Sequence, residues 1–196
     1  MKAYFLQRCI AYFIDIFIVV LVSMVFSFFI PVTEKYKDSL EKQEIILNQY
    51  ENEEINYDEY VKLYNNNSYS MAKESMIFDF FSIIITLAYF GAYSYYKDGM
   101  TIGKKCMKIR IVDNNGKHPS YRKFVIRAAL LHGPVMSILL ALSLIFLSKD
   151  IYFLVSSGIN FVYTIFSFFC IFLVAVRKDG RGLHDLISGT KVIALK

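Results

Sequence analysis

Long apolar stretches alternate with polar segments along this chain. The apolar stretches cover residues 9–30, 76–96, 124–147 and 151–176. A bilayer hydrocarbon core of about 30 Å is crossed by roughly 20 helical residues, so each stretch is long enough to span a membrane. The pattern therefore predicts an all-α integral membrane protein with a bundle of four transmembrane helices.

The third and fourth predicted spans are joined by a short connection. Only Ser148, Lys149 and Asp150 separate the third stretch from the fourth, which predicts an antiparallel helical hairpin with a tight turn. Gly133 and Pro134 lie inside the third stretch, where we expect them to loosen the helix locally.

The polar segments differ in charge, and this difference predicts their sidedness. Segment 31–75 holds ten acidic and five basic residues, segment 97–123 holds eight basic and two acidic, and the tail 177–196 holds five basic and two acidic. The positive-inside rule places basic loops in the cytoplasm. We therefore expect both termini and the basic 97–123 loop on the cytoplasmic side of the cell membrane, and 31–75 as a small extracytoplasmic helical insertion with a loop at 65–68.

Composition supports one membrane domain over 1–196. Apolar residues make up 56% of the chain, which exceeds the share found in ordinary soluble domains. The three cysteines are scattered without a CxxC spacing, so neither a disulfide framework nor a metal site is indicated. No motif for a catalytic nucleophile, a zinc protease or a phosphate loop occurs, and we expect no enzyme and no cofactor.

The basic loop contains a pattern typical of a strand. Apolar and charged residues alternate over 108–112, and a turn signal follows at 114–116, which predicts a short cytoplasmic β-like strand. Four basic side chains of the loop could contact anionic lipid headgroups; they are Lys104, Lys105, Lys108 and Arg110. Positive-inside topology alone would also explain them, and it makes a nucleic-acid partner a poor interpretation.

The basic loop also resembles the tail of the same chain. Lys-Asp-Gly at 97–99 recurs at 178–180, and at the same offset 110–112 aligns with 191–193. Each half would then be a helical hairpin followed by a loop and a strand. Parallel repeats of this kind occur in some transporters.

Ionisable residues inside predicted spans are the main candidates for an intramembrane site. A charge there costs about 2.5 to 3.5 kcal/mol on insertion scales, so it usually faces a partner or a cavity. Asp15 lies within the first span, with Arg8 seven residues earlier and Arg127 entering the third span from the same side; His132 could join them. Two interpretations stay open: an ion pair of Asp15 with Arg8 or Arg127 that fixes helix register, or a proton or cation site.

Three segments together resemble the RDD family of membrane proteins: LQRCIAYFIDIF, DGMTIGKKCMKIRIVDNNG and DGRGLHDLISGTKVI. The family is named for an arginine and two aspartates, which the resemblance assigns to Arg8, Asp15 and Asp185. It covers most of the chain except 31–75. It implies a bundle of membrane helices involved in transport of undefined ligands.

Two functions are compatible with these features. The first is a transporter or ion-coupled carrier, for which four helices are few, so we expect a homo-oligomer. The second is a non-transporting accessory protein, such as an assembly factor, a protease partner or an immunity-type protector, that docks a protein partner through 31–75. We expect Asp185 to anchor the tail by accepting hydrogen bonds from backbone or arginine, and the adjacent His184 not to face it as a catalytic pair.

Overall fold

The computed structural model describes residues 2–195, which are mostly helical with one small sheet. In chain order the elements are α1 (Phe5–Ser27), α2 (Glu34–Glu51), α3 (Tyr57–Thr86), a π-helical segment (Leu87–Tyr93), α4 (Ser94–Tyr96), α5 (Ile102–Cys106), β1 (Ile109–Asp113), α6 (Tyr121–Leu131), α7 (Pro134–Phe146), α8 (Lys149–Val176), α9 (Leu183–Ser188) and β2 (Thr190–Ala194).

Within residues 2–195, three continuous helices are long and apolar enough to cross a membrane: α1, the helix that runs without a break over Tyr57–Tyr96, and α8. A fourth span exists if α6 and α7 are counted together. Large apolar side chains on these helices are exposed, such as Phe13 at 72% and Phe161 at 67%. Apolar surface of this kind is stable in contact with lipid tails. The protein is therefore a multi-pass membrane protein.

The predicted span over 124–147 consists of two helices. The helix breaks between α6 and α7, and the two axes are bent by 65°. Gly133 adopts the left-handed region with φ 98°, and Pro134 starts α7. Glycine tolerates this conformation, whereas proline has no N–H to continue the α6 hydrogen bonding. The expected loosening at this pair is thus a full break.

The outer segment is also more regular than the predicted short insertion with a loop. α2 packs against the first half of α3, which continues into the second span without interruption. The expected loop at 65–68 is instead helical, because its polar side chains bond to the neighbouring helix. Asn67 is buried, and its Nδ2 donates to the Ser39 carbonyl at 2.6 Å and to Gln43 Oε1 at 2.7 Å. An amide bonded in this way does not compete with its own helix backbone.

The predicted strand is confirmed as β1, and it pairs antiparallel with β2 from the tail. Lys2 forms a bridge with Ile193 beside them. A buried apolar cluster lies under the sheet and includes Ala11, Ile109 and Phe124. The start of α1, the 97–123 loop and the tail therefore meet at one end of the bundle, which we call the basic end.

The repeat inferred from the sequence is present in the backbone. β2 begins at Thr190, 81 residues after β1 begins at Ile109, and α9 follows α5 at the same offset. Gly99 and Gly180 are likewise equivalent, and both have positive φ. The central sheet pair joins Ile111 to Val192, which are equivalent residues. The two copies are thus related by a local two-fold axis through the sheet.

Candidate functional site

Asp15 is fully buried at the basic end and is surrounded by hydrogen-bond donors. One carboxylate oxygen accepts from the Tyr89 hydroxyl at 2.7 Å and from the Gly103 backbone N–H at 2.8 Å. The other accepts from the Thr101 hydroxyl and lies 3.4 Å from Lys104 Nζ. Since a buried carboxylate is tolerated only when paired and hydrogen-bonded, these donors are what allow Asp15 to be there.

The close approach of α5 to α1 depends on a glycine. A Cβ at position 103 would lie 2.2 Å from the Ala11 carbonyl oxygen and 2.9 Å from Asp15 Cγ. Thr101 precedes α5 and accepts from the Lys104 backbone N–H with its side chain. The segment TIGK therefore forms a short capped helix that can lie directly on α1.

The π-helical segment positions two aromatic side chains at the same place. Tyr89 reaches Asp15, and the next residue, Phe90, stacks on His132 with ring centroids 3.4 Å apart. A π-helical turn shifts the helical phase, and such turns occur frequently at functional sites. His132 also stacks on Tyr12, at 5.6 Å.

Asp185 forms a second buried cluster next to the first. Arg8 Nη2 donates to one carboxylate oxygen at 2.6 Å, and Arg127 Nη1 donates to the other. The Gly182 backbone N–H donates at 3.2 Å and the Thr190 hydroxyl at 3.3 Å. Asp185 therefore ties α9 to α1 and α6, and the expected anchoring by backbone and arginine donors is confirmed.

The expected pairing of Asp15 with Arg8 or Arg127 is wrong, because both arginines bind Asp185 instead. Arg8 and Asp15 are seven residues apart on α1, about 10 Å along the axis. At this distance the two side chains bind different partners: Arg8 binds Asp185 of α9, and Asp15 contacts Gly103 and Lys104 of α5. Two ion clusters replace the single expected one.

A cavity of about 370 Å³ lies beside these clusters, between α1, α6 and α8. Its polar lining is basic: it comprises the side chains of Arg8, Lys104, Arg127, His132 and His184, together with Ser167 and the tyrosine hydroxyls. Among the described residues that line it, none is acidic. The remaining wall is mostly apolar, as in many ligand pockets of proteins.

The sequence comparison agrees with this geometry. The profile of the RDD family matches residues 2–189. The chain belongs to the RDD family. No curated protein and no solved structure shows significant similarity to it. In this RDD protein the arginine assigned to the family name, Arg8, bonds to one of the two aspartates, Asp185, while Asp15 occupies the neighbouring cluster.

The electrostatics of the RDD protein's basic end follow from burial. Desolvation lowers the pKa of Lys104 from 10.5 to about 8, although the nearby Asp15 opposes this shift. Desolvation, with the Arg127 charge as the next cause, lowers the pKa of His184 to about 4, so this imidazole is neutral at pH 7. Burial alone would raise the pKa of Asp185, but the charge of Arg127, with a further contribution from Arg8, outweighs it and lowers that pKa.

The sequence predicted that His184 would not face the adjacent Asp185, and the structure differs from this. Its Nε2 lies 3.3 Å from Asp185 Oδ2, so the two side chains do contact each other, although without hydrogen-bond geometry. Adjacent residues at the start of the short helix α9 can converge in this way because the Asp185 side chain folds back toward the Gly182 N–H.

The four predicted headgroup residues are not equivalent. Lys104 is directed inward to Asp15 and lines the cavity, so its charge is not exposed at the surface of the loop. Lys105 and Lys108 are exposed and Arg110 is half-buried, and their predicted role stays a prediction. The burial of Lys104 was not predicted, because one inward-directed lysine in a basic loop leaves no sequence signal.

Sequence reasoning missed three donors to Asp15, namely Tyr89, Thr101 and Gly103. A usable signal exists for two of them, because Thr101 and Gly103 lie in the TIGK segment that the resemblance identified. Tyr89 has none, since tyrosine is abundant in this chain.

Proposed function

We propose that this RDD family protein is a carrier that binds a ligand in the cavity between α1, α6 and α8. The observation that supports this proposal is the cavity itself, about 370 Å³ in volume and lined by the cationic side chains of both buried ion clusters. Pockets of this size hold small molecules in other proteins. The site is non-enzymatic in this proposal.

The broken helix provides a means of changing access. α6 carries Arg127 and is held to α9 through Asp185, whereas α7 is directed 65° away. His132 lies at the break and lines the cavity. In transporters, discontinuous helices commonly border the ligand site near mid-membrane. A hinge at Gly133 would let α7 and α8 move while the basic end stays assembled.

Three native cysteines allow this to be tested without knowing the ligand. Cys9 and Cys170 line the cavity, and Cys106 is exposed at the basic end. A variant that keeps only Cys170 should react with a small membrane-impermeant thiol reagent applied from either side of sealed vesicles. A variant that keeps only Cys106 should react from one side.

Ser167→Trp sharpens this experiment, because Ser167 lines the cavity. It should abolish the reaction of Cys170 from both sides and leave that of Cys106 unchanged. Reaction of Cys170 from one side only, or from neither, would contradict a carrier. The same vesicles test orientation: Ser120→Cys should be labelled from the cytoplasmic side, and Ser70→Cys from outside.

An accessory role is favoured by a different observation. Leu40 and Leu47 lie seven residues apart on one face of the polar helix α2, and they are 46% and 43% exposed. Such a pair could bind a protein partner through the α2–α3 hairpin. Native mass spectrometry in mild detergent would reveal such a partner, and it would also test the proposed homo-oligomer.

The α2–α3 hairpin can be deleted without separating the helices that flank it. The Thr33 hydroxyl donates to Glu74 at 2.8 Å, so the two ends of segment 34–73 are adjacent. A short Gly-Ser link should replace this segment without separating the spans. If two-sided access to Cys170 survives, the carrier proposal is supported. Loss of a copurifying partner with one-sided access would favour the accessory role.

A further inference from the structure

We propose that the cavity takes a phosphate-bearing anionic lipid, with its headgroup at Arg8, Lys104 and Arg127 and one apolar tail between α1 and α8. This inference rests on the proposed ligand site and names the class of ligand. It differs from the cation or proton that a buried aspartate in a span first suggests.

The charge balance of the buried clusters favours an anion. Arg8, Lys104 and Arg127 are three cations, and Asp15 and Asp185 are two carboxylates, which leaves one excess positive charge. All three cationic side chains line the cavity, whereas neither carboxylate does. An uncompensated charge at low dielectric is costly, so an anion in the cavity would be stabilised and a cation repelled.

Unused hydrogen-bond capacity points in the same direction. His184 is 3% exposed and lines the cavity, and its Nδ1 has no hydrogen-bond partner among the described residues. Within residues 2–195, the Nδ1 atom of His132 is also buried and has no hydrogen-bond partner. Arg127 uses only Nη1 in its bond to Asp185. Buried polar atoms are rarely left unpaired in native proteins, and phosphate oxygens would satisfy these groups.

The rest of the cavity suits a hydrocarbon chain. α1 contributes Phe5 and Phe13, and α8 contributes Ile171 and Val174. Phe13 is 72% and Ile171 61% exposed, so the mouth reaches the surface that faces lipid tails. A ligand could therefore enter sideways from the bilayer.

The cavity volume limits the ligand further. About 370 Å³ is near the lower end for small-molecule sites. It accommodates a headgroup and the start of one tail, and the rest of the tail would extend through the mouth between α1 and α8. A lipid with one phosphate and one acyl chain fits this description.

The test uses the full-length protein in detergent and a fluorescent lysophosphatidate as the probe. Unlabelled lysophosphatidate should compete at least tenfold better than lysophosphatidylcholine, whose headgroup is zwitterionic. Inorganic phosphate at the same concentration should not compete. Ser167→Trp should abolish binding, whereas Ser157→Trp, on the exposed face of the same helix, should not.

Charge variants test the anion requirement directly. Lys104→Gln removes the excess positive charge and should weaken binding of the probe about tenfold. The double variant Lys104→Gln with Asp15→Asn restores one excess positive charge, so it should recover part of the lost affinity. A merely structural role of Lys104 would not produce this recovery. Thermal melting of each variant shows whether it is folded.

Several outcomes would overturn the inference. Equal competition by both lysolipids would show an apolar pocket without anion selection, and effective competition by phosphate alone would identify free phosphate as the ligand. The outcomes also separate the two proposals. Selective binding with one-sided access to Cys170 would support the lipid site and refute the carrier function. Two-sided access without selective binding would support the carrier function and refute the lipid site.

Discussion

The two copies of the repeat at the basic end have the same backbone conformation but differ in the charge of their side chains. Each consists of a glycine turn, a short helix and a strand, and the two strands pair about their common centre. The third residue of the short helix is Lys104 in the first copy and Asp185 in the second. Each finds the opposite charge on α1: Lys104 contacts Asp15, and Asp185 bonds to Arg8.

This difference shows how one fold element can serve two kinds of ion cluster. Among the described residues, three of the four donors around Asp15 are neutral, and the fourth, the cation Lys104, can lose its proton. Around Asp185, two guanidinium groups remain charged at every accessible pH. Loss of the carboxylate therefore has unequal consequences in the two copies.

The largest effect is expected for Asp185→Asn. Removal of this charge leaves Arg8 and Arg127 buried without a counter-ion, which should lower the free energy of unfolding by about 3 to 5 kcal/mol. Thermal melting in detergent measures this, with the exposed Asp38→Asn as the matched control. Combined with Arg8→Gln, the loss should be less than the sum of the two single losses. Strict additivity would show that the two residues do not interact.

Asp15→Asn should cost less, about 1.5 to 3 kcal/mol at pH 7, because it removes a charged hydrogen-bond acceptor but strands only one amine. The penalty should shrink at pH 9. The pKa of Lys104 is about 8 in the folded protein and near 10.4 when unfolded, so raising the pH first discharges the folded state. The Asp185→Asn penalty should not change between these pH values. Equal pH dependence of both variants would refute the comparison.

Gly103→Ala tests the close contact of α5 with α1. The added methyl would meet the Ala11 carbonyl, so the free energy of unfolding should fall by about 1 to 3 kcal/mol. Gly158→Ala is the control, since a methyl there meets nothing within 4 Å and lies in a helix. A larger loss in the control would remove the steric explanation.

The smallest effect is expected at the turns that precede the two short helices. Asp179 pairs with Arg177 and Arg181, and the hydrogen bond from Arg177 lowers its pKa although desolvation opposes this shift. This cluster is only half-buried and reaches solvent, so Asp179→Asn should shift the melting temperature barely measurably. A shift comparable to that of Asp15→Asn would mean that the turn, and not the buried cluster, holds the second copy in place.

Local properties of the chain determined much of this architecture. The length of each apolar stretch sufficed to predict helices that correspond to α1, the end of the Tyr57–Tyr96 helix and α8. Alternation over 108–112 predicted β1, and the repeated Lys-Asp-Gly revealed the two copies. These features depend on neighbouring residues alone, because hydrophobic length and backbone preference act within a few turns of chain.

Tertiary structure alone decided which charges meet. Arg8 and Asp185 are separated by 177 residues, and Asp15 and Gly103 by 88. Sequence placed Arg8, Asp15 and Arg127 near the same membrane face, but several pairings satisfied that condition equally. The choice among them required α5 to pack on α1 and α9 to pack on α6, and the close approach at Gly103 allows the first of these contacts. A buried charge bonds to whichever donors the assembled fold brings within about 3 Å, and no local pattern along the chain encodes that distance.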